Sequence, residues 1–533
     1  MLHLHIQFPS SMVPRLCQCI RTRIGLLLAG LLLVGAGLVP AAHGQENSQA
    51  LLDQFEEKVT TFTLDNGLTF VVVERHDAPV VSFHTYADVG SINEPKGKTG
   101  VAHMFEHMAF KGTTSIGTKN IEKEMAALRR QEQIYQQLRR ERAKGPQADS
   151  SRIATLEEQF EAATEEAESF IQGGEYESIL EREGVTGMNA YTSPDGTGYM
   201  YSLPANKLEL FFAMESDRFR NPVLREFYTE RDVVMEERRG SESRPQGRLF
   251  EAFLTTAFKA HPYGEPTIGY MSDLKNLSRS DAQEFFDKYY VANNLTIGIA
   301  GDVEPDRVQA LAEEYFGRLP EGEDPMPITT EEPEQMGERR VILREQTQPM
   351  MVMGYHRGSM TSDNAPVYQI LGDVLTQGRT SRLYQSLVQT EKALAVQAIP
   401  SFPGNKYPSL FGIFAYPNRG VSVDSLEQDI YAELDSIRQN GITQEELERA
   451  KTRARADLIG SLDSNSGLAQ RLSTMEALTG DWRTVFRQLD EIQAVTTADV
   501  QRVAQNTFQR DNRTVAMIKS AEENGQPTAD AGQ

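Results

Sequence analysis

Residues 100–113 read GVAHMFEHMAFKGT, a stretch with two histidines and a glutamate directly before the second of them. On an α-helix His103 and His107 lie on one face, about 40° apart. Imidazole nitrogens at this spacing can both bind one Zn²⁺ at about 2.1 Å. Glu106 lies on the same face, where its carboxylate can take a proton from a metal-activated water. The stretch therefore predicts a helix that carries two metal ligands and a general base.

The order H-x-x-E-H is the inverzincin motif, the reverse of the commoner H-E-x-x-H zinc motif. Two other interpretations remain open: a pair of surface imidazoles beside a solvated glutamate, and a metal site without catalysis. With 9 histidines in the chain, the motif arises by chance on the order of once in a hundred such chains. A catalytic zinc site also needs a third protein ligand and an open position.

The best source of a third ligand is the segment between Arg225 and Arg239. It contains no glycine or proline and is rich in helix-forming residues, so it is predicted to be a helix. Glu230 and Glu237 are seven residues apart and therefore lie within about 20° of each other on one face. The alternative for an acid-rich helix of this kind is a solvated surface.

Several stretches, in the same order, resemble the pitrilysin/insulinase family of zinc peptidases, in particular bacterial relatives of the mitochondrial processing peptidases. Residues 100–113 resemble the family's active-site helix, Asn189–Ser193 its substrate-binding edge strand, and Glu230–Glu237 its E-x6-E helix. Later landmarks that also match are His261–Gly264, Pro266–Gly269, Phe286–Tyr290 and Asn293–Leu295. The resemblance extends over residues 58–520.

The resemblance implies a zinc metalloendopeptidase that hydrolyses peptides or unfolded polypeptides with one Zn²⁺ per chain. The implied metal ligands are His103, His107 and Glu237. Glu106 would be the general base and Glu230 a catalytic carboxylate behind the ligands. Glu236 competes with Glu237 for the ligand role, but the seven-residue spacing from Glu230 favours Glu237. The implied substrate-binding residues are Asn189, Ala190, Tyr191 and Thr192, which would pair with an extended peptide as an added strand.

The resemblance also implies a fold class, α+β with two related halves. Each half would have a mostly antiparallel sheet packed against helices, and the halves would face each other across a chamber. The predicted divisions are a zinc-binding domain at 45–320, a Pro- and Glu-rich linker at 321–339, a second domain without a metal site at 340–520 and a disordered tail at 521–533.

Residues 121–172 are predicted to form a helical hairpin inserted in the first half. Apolar residues recur every three or four positions on both sides of a Gly145-Pro146 break, which is typical of two antiparallel helices. The favoured interpretation is a structural arm whose two stripes pack on each other. A lid over the active site and a contact for a partner are the alternatives.

The composition is that of a soluble globular protein, with 39% hydrophobic and 24% charged residues. The formal net charge of −22 disfavours binding to nucleic acid or to anionic membrane surfaces. Both cysteines, Cys17 and Cys19, lie near the N-terminus. If that segment is removed, the mature chain has neither disulfides nor thiol chemistry.

Residues 1–44 are predicted to be a cleaved signal peptide. Three arginines precede the apolar run Ile24–Val39, whose 16 residues fall short of the roughly 20 that span a bilayer. The expected location is therefore the periplasm or the exterior, without stable membrane insertion after cleavage. An uncleaved N-terminal anchor is the alternative, and Met12 is a candidate start.

One departure from the family pattern concerns partners. In many members the second half supplies an arginine and a tyrosine, seven residues apart, that contact the substrate near the zinc. The matching positions here are Gln389 and Val396. We therefore expect a homodimer, or a heterodimer with a homologous chain that supplies the missing pair. A non-catalytic or partner-dependent subunit is the rival function.

Overall fold

The computed structural model describes residue 52 and residues 55–520. The predicted signal peptide and the predicted C-terminal tail lie outside these residues. Among the helices of the described part, none combines the length and the apolar character needed to cross a membrane.

The first half contains a six-stranded sheet and the helices that carry the candidate site. The strands are β1 (Val59–Thr63), β2 (Thr69–Glu74), β3 (Val80–Ala87), β4 (Thr186–Thr192), β5 (Thr197–Pro204) and β6 (Leu295–Gly301). The helices are α1 (Val101–Met108), α2 (Ile121–Arg142), α3 (Ser150–Glu168), α4 (Glu175–Arg182), α5 (Leu208–Arg220), α6 (Phe227–Ser243), α7 (Pro245–Ala257), α8 (Met271–Asn276), α9 (Arg279–Tyr289) and α10 (Pro305–Tyr315).

The second half contains a five-stranded sheet. Its strands are β7 (Arg339–Glu345), β8 (Met350–Arg357), β9 (Ala393–Phe402), β10 (Ser409–Pro417) and β11 (Arg513–Ser520). Its helices are α11 (Ala365–Thr376), α12 (Val423–Asn440), α13 (Gln444–Ser461), α14 (Asn465–Thr479), α15 (Thr484–Ala494) and α16 (Thr497–Thr507). Residues 320–338, between the halves, contain neither helix nor strand.

The two sheets follow one plan. Their strand orders are β1-β2-β6-β3-β5-β4 and β7-β11-β8-β10-β9, which correspond strand by strand once β1 is set aside. In each sheet one pair is parallel, β2 with β6 and β7 with β11, and the other pairs are antiparallel. The predicted class, α+β with two related and mostly antiparallel halves, is confirmed.

Each half covers one face of the other half's sheet. In β2, Phe70 and Val72 face the core of their own half, whereas Val71 and Val73 pack in a cluster with residues of α14. Conversely, α7 of the first half packs in a cluster with β8 and β11 of the second. The approach is close, because a Cβ atom at Gly298 would lie 2.1 Å from the carbonyl oxygen of α14's Ala469. Helices α7 and α14, each of which packs on the sheet of the other half, therefore join the two halves.

Helices α2 and α3 form an antiparallel hairpin, with ion pairs Arg130–Glu166 and Arg142–Glu157 between them. The prediction that this arm packs only on itself is wrong. Tyr135 of α2 is buried in the main core of the first half, and its hydroxyl donates to the carbonyl oxygen of Lys275 at 3.1 Å. The prediction used only the spacing of apolar residues in α2. That spacing does not reveal that polar groups of α2 form hydrogen bonds with the main core.

Candidate metal centre

Helix α1 is fixed firmly at its N-terminus. Gly100 caps it with φ of +87°, a left-handed conformation that glycine adopts without strain. The buried carboxylate of Glu94 accepts hydrogen bonds from the backbone amides of Gly100 and Ala102, both at 2.8 Å. Burial raises the pKa of Glu94 to about 8, although these two backbone hydrogen bonds oppose the shift. Phe105 anchors the middle of the helix against the ring of Tyr290.

The three predicted metal ligands converge between α1 and α6. His103 Nε2 and His107 Nε2 each lie 3.8 Å from an oxygen of Glu237, Oε2 and Oε1 respectively. One ligand atom from each of the three side chains lies within 4.8 Å of the others. The 3.8 Å separations are too long for hydrogen bonds. They suit atoms that bind a common ion, and the donors are those that zinc prefers.

The competing ligand Glu236 points elsewhere. Its side chain is 73% exposed and pairs with Arg239 at 2.7 Å. The structure therefore supports the register in which Glu237, and not Glu236, faces the histidines.

Burial prepares His103 for metal binding. Only 5% of this residue is exposed, and burial lowers the pKa of His103 to about 3. The imidazole is therefore neutral at physiological pH, and neutral imidazole is the form that binds a metal.

A second carboxylate supports His107 from behind. Glu230 Oε2 lies 3.4 Å from His107 Nδ1, while Glu230 Oε1 accepts a hydrogen bond from Lys111 Nζ at 2.5 Å. The His107 contact and the Lys111 ammonium lower the pKa of Glu230, although burial opposes them. Such a partner on the far ring nitrogen fixes the orientation of a ligating imidazole. Lys111 was not predicted, although it lies in the same 100–113 stretch.

Glu106 lies beside the ligands and is 5% exposed. Burial raises the pKa of Glu106, and a hydrogen bond that Thr192 Oγ1 donates to its Oε2 at 2.6 Å opposes this effect. A carboxylate whose pKa is raised toward neutrality is suited to accept and return a proton. Thr192, predicted to bind substrate through its backbone, thus has a side-chain contact that the sequence did not reveal.

Strand β4 carries the four predicted substrate-binding residues and is the outermost strand of the first sheet. Asn189 and Ala190 line a cavity of about 420 Å³ together with Glu106 and His107. The side chain of Tyr191 lies on the face of the sheet opposite to Ala190 and Thr192, with its hydroxyl 3.3 Å from His84 Nε2. The outer edge of β4 is unpaired among the described strands, and it lies close to the candidate metal ligands.

The described residues that line this cavity all belong to the first half, between positions 106 and 230. Its one lining lysine, Lys111, pairs with Glu226 and Glu230. Gln389 is exposed, and Val396 lies on β9, the outermost strand of the second sheet. Neither of these residues lines the cavity.

Two family models match the chain. The model described as "Insulinase (Peptidase family M16)" matches residues 69–134 and 164–270. The model described as "Peptidase M16 inactive domain" matches residues 276–454. The unmatched residues 135–163 lie within the α2–α3 hairpin.

Relatives and solved structures agree with these matches. The chain is 27% identical to "Zinc protease PqqE" of Helicobacter pylori over 477 residues, covering 87% of this chain and 93% of the relative. The crystal structure of a protease from Helicobacter pylori has a TM-score of 0.72, with 26% identity and coverage of 87% and 99%. The periplasmic protease PqqL from Escherichia coli shares the fold, with a TM-score of 0.64, 19% identity and coverage of 87% and 48%.

Proposed function

Because this chain belongs to the insulinase family, peptidase family M16, we propose that it is an exported zinc metalloendopeptidase. Its substrates would be peptides or unfolded polypeptides, and its location the periplasm or the exterior. The observation that chiefly supports this proposal is the convergence of two imidazoles and a carboxylate beside the buried Glu106.

His103, His107 and Glu237 would hold the zinc. The donors fit, because catalytic zinc sites use three protein ligands of these types and leave one position open. When bound, Zn²⁺ polarises a carbonyl group and lowers the pKa of a water molecule. Glu230 keeps the His107 ring oriented, and the contacts of Glu230 with His107 and then with Lys111 lower the pKa of this carboxyl group.

Glu106 would act as the general base. Its carboxylate takes a proton from the attacking water and later delivers that proton to the leaving amine. Thr192 holds one carboxylate oxygen in place, which leaves the group oriented for transfer. Residues Asn189–Thr192 would bind an extended peptide along the free edge of β4, so main-chain bonds would fix its direction with little sequence selectivity. Pairing of this kind needs an extended chain, which favours short or unfolded substrates over folded ones.

The rival function is a non-catalytic or partner-dependent subunit. The complete set of donors and base argues against a non-catalytic role. The model described as an inactive domain matches 276–454, a region that lacks the H-x-x-E-H motif. A separate observation supports dependence on a partner chain. Among the described residues, none from the second half lines the cavity beside Glu106 and His107.

Metal analysis of the purified mature protein, combined with a fluorogenic-peptide assay, tests the proposal. We expect about one zinc per chain and hydrolysis that a chelator abolishes and added zinc restores. Hydrolysis that persists in metal-free protein, or protein that neither binds zinc nor cleaves peptides, would refute the proposed activity.

Glu230→Gln is expected to lower turnover by about 10–100-fold, with most of the zinc retained, because it weakens support for His107 rather than removing a ligand. Turnover and zinc content of the same preparation provide the measurement. Glu236→Gln, a change on the exposed side of α6, serves as the control. Unchanged turnover in Glu230→Gln would exclude its supporting role.

The expected assembly state follows from the donors that are available beside the candidate metal ligands. A transition-state oxyanion needs a positioned donor, and losing one costs about 2.7–4 kcal/mol, or roughly 10²–10³-fold in rate. The only lysine that lines the described cavity already pairs with two glutamates.

We therefore expect a dimer in solution, and faster hydrolysis when a homologous exported chain carrying the arginine and tyrosine pair is added. Light scattering gives the mass, and activity is measured against protein concentration with and without the companion. A monomer whose specific activity is high and independent of concentration would contradict this expectation. It would mean that another residue of this chain supplies the donor.

A further inference from the structure

Two faces of helix α6 contact other parts of the protein. Glu230 and Glu237 face the histidines of α1, whereas Arg231 lies roughly 100–120° and Tyr228 roughly 160–180° around the helix from them. Tyr228 and Arg231 are both buried. What they contact therefore determines how firmly the candidate third ligand is held.

Tyr228 is held by the hairpin. Its hydroxyl donates to Glu132 Oε2 of α2 at 2.7 Å. The other oxygen of Glu132 accepts a hydrogen bond from Ser280 of α9 at 2.5 Å. The ring of Tyr228 also packs edge-on against Phe160 of α3, with centroids 4.9 Å apart. Both helices of the hairpin thus contact this one side chain.

Arg231 is held in the same way. Its guanidinium donates to the hydroxyl of Tyr135 on α2 at 2.5 Å and to the carbonyl oxygen of Leu277 at 2.9 Å. The guanidinium also lies over the rings of Tyr135 and Tyr228, at 5.0 and 4.9 Å from their centroids. Such cation–π contacts are strongest when desolvated, as they are here.

A third buried link lies just before α6. Arg225 donates to Glu124 of α2 at 2.7 Å, and both side chains are almost fully buried. The same guanidinium donates to the carbonyl oxygens of Lys111 and Thr113, each at 2.7 Å. Arg225 therefore joins the hairpin to the start of α6 and to the turn that follows α1.

We propose that the α2–α3 hairpin is a brace for α6, and that Glu132 and Tyr135 are positioning residues for Glu230 and Glu237. The inference rests on the proposed zinc site. A site whose ligands are held in place before the metal arrives binds it more tightly, because less ordering is needed on binding. Loosening the brace would thus weaken zinc binding without touching a ligand or the substrate strand.

Deleting the hairpin would expose core residues and could prevent folding, so two small changes are preferable. Glu132→Gln replaces one acceptor oxygen by a donor, and Tyr135→Phe removes only the hydroxyl. The matched controls are Glu166→Gln, on the exposed side of the hairpin, and Tyr315→Phe, whose hydroxyl bonds Glu209 at the surface. All are made in the full mature chain.

Two quantities are measured: the Kd for zinc, by competition with a chromophoric chelator, and hydrogen exchange of residues 227–243 in zinc-free protein. We expect each brace variant to raise the Kd by about ten-fold, the lower end of the range for partners beyond the ligands. Exchange in α6 should also be faster, with KM for a peptide unchanged. Neither control should differ from the wild type.

The brace is refuted if the wild type binds zinc and both brace variants match the controls in Kd and in α6 exchange. A lowered Tm with unchanged Kd would also refute it, since that result indicates a purely structural role. If the wild type itself binds no zinc, the proposed activity fails and the brace fails with it. Failure of the wild type to bind zinc is distinguishable from the two outcomes above, in which the wild type binds zinc and only the brace is refuted.

Discussion

Glu106→Gln is expected to reduce peptide hydrolysis by about 10²–10⁴-fold while zinc remains bound. Glutamine keeps the shape of the side chain and an oxygen that can accept the Thr192 hydrogen bond, but it cannot accept a proton from water. Glu106 is not among the three side chains whose ligand atoms converge, so the change should leave the metal in place.

The measurement compares kcat and zinc content in the same preparation. Glu181→Gln, on the exposed face of α4, controls for the loss of a carboxylate in the first half. Wild-type turnover in a zinc-loaded Glu106→Gln protein would rule out the mechanism. Loss of both zinc and activity would instead indicate that Glu106 is a zinc ligand and not the general base.

Glu237→Gln is expected to remove most of the zinc and, with it, the activity. The substitution replaces a charged ligand by a neutral amide, in a site where both remaining ligands are neutral imidazoles. The fall in zinc affinity should exceed the roughly 10–100-fold that follows from losing a partner of a ligand.

Glu236→Gln is the matched control, because this residue is adjacent in sequence and points to solvent. Zinc affinity by chelator competition and activity are measured for both variants. The opposite result, with zinc lost from Glu236→Gln and kept by Glu237→Gln, would show that the register of α6 is displaced by one residue. Equal zinc affinity in both would remove Glu237 from the ligand set.

The sequence by itself predicted those features that depend on local periodicity. His107 is four positions after His103, and Glu237 is seven positions after Glu230, so each pair lies on one face of any helix that forms there. The same is true of the hairpin, whose two helices follow from three- and four-residue spacing.

Other features were decided only by the tertiary structure, because they join residues far apart in the chain. Strand β2 reads as a continuous apolar run, which indicates burial on both faces but not that α14 of the other half covers one of them. Glu132 and Glu124 look like ordinary charged positions of a surface helix until Tyr228 and Arg225 are placed beside them. Thr192 meets Glu106, and Lys111 meets Glu230, only because β4, α1 and α6 pack together. Local spacing places side chains on a face, whereas tertiary packing decides what that face contacts.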